Sequence, residues 1–207
     1  MKLVFASNNA HKLSEVRAMM PAGVEVLSLH EIGFEAEIEE TGKTLEENSL
    51  IKAKTVWNWI VESRKSKVES IDGVFADDTG LEIDALNGEP GVYTARWAGS
   101  PAANRAKALR ELEGKDNRDC QFRTVITLLM NGDAPFNGGM IQVEGIVRGR
   151  IAEKEFGEGG FGYDPVFIPE GYDKTFGELP AELKNHISHR ARAIQELIRV
   201  LNDGMME

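Results

Sequence analysis

The stretch "GVFADDTGLEIDAL", residues 73–86, decides the fold. An apolar run leaves a polar loop and meets two adjacent carboxylates, Asp77 and Asp78; Thr79-Gly80 and a second apolar run follow. Glycine after a polar residue reads as a tight turn, so two strands are expected to flank Thr79-Gly80, with the aspartates at a strand end. Adjacent like charges repel, so a cation or a hydrogen-bond network must offset them. Neighbours on a strand point to opposite faces, so the two need not do the same job.

Upstream, "KLVFA" (2–6) reads as a first strand and "VEVLSL" (24–29) as a second. Between them "SNNAHK" (7–12) opens a helix with Leu13, Val16 and Met20 on one face. Residues 31–47 are strongly acidic; Thr44 and Glu47 then form a T-x-x-E capping box. The helix behind it repeats Leu50, Ala53, Lys54, Trp57, Ile60 and Val61 at helical spacing, mostly as core residues. Downstream, a helix is expected over 102–112. Alternating segments at 120–130 and 140–151, joined by "NGDAPFNGG" (131–139), read as an antiparallel hairpin. "VFIP" (166–169) is strand-like, and a last helix runs from near Ser188 to near Asn202. Interleaved helices and strands with an antiparallel pair mean a mixed α/β fold. No linker divides the chain, so 1–207 is read as a single domain.

The 207 residues are 42% hydrophobic and 28% charged, as in ordinary globular proteins. No apolar run approaches the ~20 residues that span a bilayer, and the N-terminus reads as a strand rather than a secretory signal, so a cytoplasmic protein with no membrane partner is expected. A formal charge of −10 argues against a broad nucleic-acid surface. A small anionic ligand would need a local cation cluster or a metal. Cys120 is the sole cysteine and reads as a strand residue, not a nucleophile.

Two motifs fail on context. Gly157, Gly159 and Gly162 match G-x-G-x-x-G but lead into "YDPVFIP", a strand rather than a helix. "GKT" at 42–44 lacks a P-loop's first glycine, which falls on Glu37. What remains is a strand-to-helix junction at 7–12, suited to an anion and with Lys12 one turn in. Carboxylates also converge from two elements, Glu39, Glu40 and Glu47 with Asp77 and Asp78, a hard-oxygen set suited to Mg2+. The C-terminal third adds Phe161 and Tyr163 around a glycine as a flat surface for a base, with Lys184, His186, His189 and Arg190 as donors.

Together "SNNAHK", "EETGKTLEENSLIKA", "FADDTGLEIDALNGEPGVYTARWAG", "GGFGYDPVF" and "KNHISHRARA" resemble the inosine triphosphate pyrophosphatase family, in its order and spacing and over nearly the whole chain. The resemblance implies an elongated α/β fold of two lobes around a central cleft, a homodimer, Mg2+ dependence, and hydrolysis of non-standard purine nucleoside triphosphates to monophosphate and pyrophosphate. It puts the phosphate loop on Ser7, Asn8, Asn9, Ala10, His11 and Lys12, the metal glutamate on Glu40 and the helix lysine on Lys52. The catalytic, metal-binding aspartate falls on Asp78, with Thr79 contacting substrate; strand alternation leaves Asp77 as the residue that supports the metal site. The base pocket falls on Phe161, Gly162, Tyr163, Asp164, Lys184, His189 and Arg190. Serine at 7 and threonine at 79 stand where the family more often has threonine and serine, so each position keeps a hydroxyl. A pyrimidine or modified-nucleotide substrate, and a nucleotide sensor without turnover, are the rival readings; the donors at 184, 189 and 190 argue against the first and Asp78 against the second.

Overall fold

A computed structural model describes residues 1–63, 70–130 and 139–204; most of the expected 131–139 loop lies outside them. The strands are β1 (Lys2–Phe5), β2 (Glu25–Leu27), β3 (Gly73–Ile83), β4 (Pro90–Gly91), β5 (Asp119–Met130), β6 (Met140–Ile151) and β7 (Phe167–Pro169). The helices are α1 (Ala10–Met19), α2 (Leu29–Ile32), α3 (Leu45–Ser63), α4 (Pro101–Glu111), α5 (Ala181–Ile187) and α6 (His189–Gly204). The strands form one mixed sheet ordered β2-β1-β3-β5-β6-β7, with β4 also on β3. β1 is parallel to both neighbours, Leu3 standing opposite Val26 and Gly73. Parallel strands are covered on both faces, and Leu3, Val4 and Phe5 are accordingly buried. β5 and β6 run antiparallel, as their alternation predicts: Met130 N bonds Gly139 O at one end, and Ile151 N bonds Arg118 O at the other, both at 2.9 Å.

The expected turn at Thr79-Gly80 is absent. β3 runs unbroken through it to Ile83. Thr79 shares a 2.8 Å hydroxyl hydrogen bond with Thr124, and Leu81 N donates to Thr94 Oγ1 at 2.8 Å. Leu81 and Ile83 are fully buried, so packing and ladder bonds override what a lone glycine permits. The chain reverses later, at Asp84–Leu86, where Asn87 takes a φ of 54°. Asp77 and Asp78 therefore lie within a strand, not at its end.

The chain divides into two compact units. The first comprises Met1–Asp78, Val125–Glu144 and the chain from Ala193 onward. In it, Phe75 packs with Val16 of α1 and with Ala193, Ile194 and Leu197 of α6, and stacks on Phe5 at 5.0 Å. Val74 and Ala76 face the other way, onto Leu29 and Ile32 of α2 and Ala53 and Val56 of α3. Each large apolar side chain fully buried here contributes about 1.5–3 kcal/mol. On α3 the expected face holds at Ala53, Trp57 and Ile60, which pack in this core, and fails at its edge. Lys54 and Val61 are exposed, while Lys52 and Val56 are buried.

The second unit comprises Thr79–Thr124 and Gly145–Arg192. Its core gathers Leu81, Ile83, Leu112, Phe122, Tyr163, Phe167 and Phe176. Cys120 is buried in this core, and burial pushes its thiol pKa far up, as befits a structural residue.

Candidate active site

Alternation along β3 sorts the two aspartates. Asp77 shares the Phe75 face with α1, and its Oδ1 accepts from Lys12 Nζ at 2.9 Å. Asp78 shares the Ala76 face with α3, and its Oδ1 accepts from Lys52 Nζ at 3.1 Å. Lys52 Nζ also donates to Glu40 Oε1 at 2.8 Å. Each carboxylate thus has its own lysine, and the repulsion within the pair is offset from two sides. Of the acidic stretch 31–47, Glu40 is the residue whose carboxylate reaches Lys52; Glu39 is exposed.

Both aspartates and Lys52 are buried, so their charges act with little solvent screening. Burial raises the Asp78 pKa, and Lys52 and Lys12 only partly reverse it. For Lys52, burial acts downward, but Asp78, Asp77 and Glu40 together outweigh it and hold the ammonium above its usual range. Asp78 Oδ2 is buried with no hydrogen-bond partner.

At the start of α1, Asn9 is the N-cap: its Oδ1 accepts from His11 N at 3.0 Å and Lys12 N at 3.2 Å, while Ser7 Oγ accepts from Asn9 N at 3.2 Å. The cap therefore engages the N–H groups of residues 9, 11 and 12, and not those of Asn8 and Ala10. Asn8, Asn9, Ala10 and His11 are exposed. At α3 the capping box is half formed as expected: Thr44 Oγ1 accepts from Glu47 N at 3.1 Å, but Glu47 Oε2 reaches Lys43 N rather than Thr44 N.

Among the described residues, no group of three or more His, Cys, Asp or Glu side chains forms a ready-made metal cage. Mg2+ does not need one, since it keeps several waters and commonly takes one or two carboxylates plus substrate phosphate. The unpartnered Asp78 Oδ2, with Glu40 joined to the same lysine, is a donor set that fits it.

In the second unit, Asp164 Oδ2 accepts from Phe161 N and from Lys184 Nζ, both at 2.7 Å. Gly160, at φ 71°, lies so close to this carboxylate that a Cβ would stand 2.0 Å from Asp164 Oδ2. Lys184 Nζ lies 4.7 Å from the Phe161 ring centroid and Arg190 Cζ 5.7 Å. His189 stacks on Phe122 at 4.5 Å. Lys184, His189 and Arg190 are all buried rather than set on a wet helix face. Tyr163 is placed differently from Phe161: it belongs to the core, and its hydroxyl donates to Thr94 O at 3.0 Å. Thr79 falls in this unit, bonded to Thr124.

Three participants escape a reading of the sequence. Arg105 Nη1 donates to Gly162 O at 2.9 Å and so fixes the glycine-rich loop. Phe122 supplies the ring under His189, and Asn48 bonds Gly42. Only Phe122 carries a signal, its place in an alternating strand.

Fold and site together define a mixed α/β protein whose central strand carries two buried carboxylates, each matched by a helix lysine. The chain belongs to the Ham1 family, whose model matches residues 3–200. A relative from Flavobacterium johnsoniae, a dITP/XTP pyrophosphatase by name, is 47% identical over 204 residues, covering 97% of this chain and 98% of that one. The Staphylococcus aureus Ham1 protein superposes with a TM-score of 0.80 at 37% identity, covering 98% of this chain and 99% of that one. A Coxiella burnetii HAM1 protein follows at 0.79 and 34%, with the same coverage of each chain.

Proposed function

We propose that this protein hydrolyses the non-standard purine nucleoside triphosphates ITP, dITP and XTP to the monophosphate and pyrophosphate, and so cleanses the nucleotide pool. The observation that carries the reading is Asp78, buried on the central strand with Oδ1 on Lys52 and Oδ2 without a hydrogen-bond partner. The activity named for the Flavobacterium johnsoniae relative supports the substrate class.

Asp78 takes the proton of a water directed at the α-phosphorus. A carboxylate whose pKa burial has raised is a better proton acceptor than an exposed one. Lys12 and Lys52 offset charge as pyrophosphate leaves, joined by main-chain N–H groups at the start of α1 and by the Ser7 hydroxyl. Glu40 and Asp78 would hold Mg2+, which supplies charge neutralisation at the triphosphate oxygens, with Asp77 supporting the site from the other face of β3 through Lys12. The base is read in the second unit by the face of Phe161 and by donors from Lys184, His189 and Arg190, with Asp164 fixing Lys184. Gly162 and the backbone of Tyr163 shape that loop, and Thr79 adds a hydroxyl contact.

We read residues 1–207 as one catalytic domain, acting as a homodimer in the cytoplasm on free nucleotides, with neither nucleic acid nor membrane as partner. The charge of −10 supports the exclusion of nucleic acid. Among the described residues no helix is long and apolar enough to cross a membrane.

The test is a panel of nucleoside triphosphates with Mg2+, both products identified. Inosine monophosphate plus pyrophosphate from ITP is expected; release of orthophosphate and a diphosphate would reject attack at the α-phosphorus. Excess EDTA is expected to stop turnover and added Mg2+ to restore it. Full activity in EDTA would remove the metal from the mechanism.

A further inference from the structure

Asn48 lies on α3 one turn before Lys52 and is fully buried. Its Oδ1 accepts from Gly42 N at 2.8 Å. The approach is so close that a Cβ on Gly42 would stand 2.6 Å from Asn48 Oδ1 and 2.9 Å from Asn48 N. Two residues before Gly42 is Glu40, whose carboxylate is bonded to Lys52. Successive turns of α3 thus hold one short segment twice, Asn48 by its backbone and Lys52 by its carboxylate.

The choice of asparagine is informative. An aspartate would accept the same N–H but would add a further buried negative charge to Glu40, Asp77 and Asp78. Asparagine gives the acceptor without the charge and leaves Nδ2 buried with no partner.

We propose that Asn48 is a positioning residue for Glu40. It pins Gly42 to α3, and so sets where the Glu40 carboxylate stands relative to Asp78 for a shared divalent cation. The inference rests on the reading of Glu40 as a metal ligand. Outer groups that orient metal ligands typically affect metal affinity about 10–100-fold.

The test is direct Mn2+ binding to the full chain without nucleotide, followed by electron paramagnetic resonance or calorimetry. Asn48→Ala is expected to weaken Mn2+ about tenfold or more. Gly42→Ala, which breaks the same joint from the other side, should do likewise and keeps the test alive if the first variant fails to fold. The double variant should bind no more weakly than the weaker single one. In turnover, the Mg2+ concentration for half-maximal rate should rise while the ITP-to-ATP preference stays unchanged. Mn2+ affinity within twofold of the parent in both alanine variants overturns the proposal. Glu40→Gln separates the two readings: if it weakens Mn2+ and the alanine variants do not, positioning alone falls; if it leaves Mn2+ affinity unchanged, the metal assignment falls and the inference with it.

Discussion

Asp78→Asn is expected to lower turnover of ITP by ~10²–10⁴-fold, the usual cost of losing a general base. The substitution is nearly isosteric. An amide oxygen can still accept from Lys52, so the 3.1 Å contact has a replacement, and Lys52 keeps its 2.8 Å bond to Glu40. What disappears is the carboxylate able to take a proton, together with one negative charge. The melting temperature should therefore change little while kcat collapses. A single-turnover assay with circular dichroism on the same sample reads both; a variant that keeps most of its activity would remove Asp78 from the proton transfer. Asp77→Asn offers a contrast: it loosens Lys12 instead, and the loss should be smaller.

The second large effect concerns the base. Hypoxanthine and xanthine present O6 as an acceptor, where adenine presents an amino donor. Lys184 and Arg190 are donors only, and both stand over Phe161. Adenine would leave them facing another donor. Sites built to hydrogen-bond a group reject an analogue lacking it by up to ~10⁴-fold or more. ITP and XTP are accordingly expected to exceed ATP in kcat/KM by that order. Arg190→Ala should shrink the ITP-to-ATP gap more than it slows ATP itself. Because Arg190 is almost wholly buried, its removal also opens space in the core, and the ratio is to be read only on a variant that melts cooperatively. Equal hydrolysis of ITP and ATP by the parent protein would reduce it to a general nucleotide pyrophosphatase.

Much of this arrangement is legible in the residues, and the failures have physical causes. The strand around Val74–Ala76 and the cap at Asn9 are readable, because local chemistry decides both. The expected Thr79-Gly80 turn fails because glycine allows a turn without requiring one. The bond from Leu81 N to Thr94, thirteen residues away, is invisible to a local pattern. The expected face of α3 holds at Ala53, Trp57 and Ile60 but misplaces its lysine: Lys54 is exposed, whereas Lys52 is drawn inward by partners that no periodicity reports. The same holds for Lys12 with Asp77, 65 residues apart. The two units are not separable in the sequence because each is assembled from distant segments, and β3, β5, β6 and α6 each contribute residues to both.

Cys120 has a practical consequence for chemists. A chain with one thiol, fully buried and held in its protonated form, is close to a blank background for maleimide or disulfide probes under native conditions. A cysteine placed on an exposed position, such as Lys54 on α3 or Val61 near its end, becomes the single reactive handle without first deleting a native residue. Spin labels, fluorophores or a surface tether can then be attached one at a time to an otherwise unaltered chain.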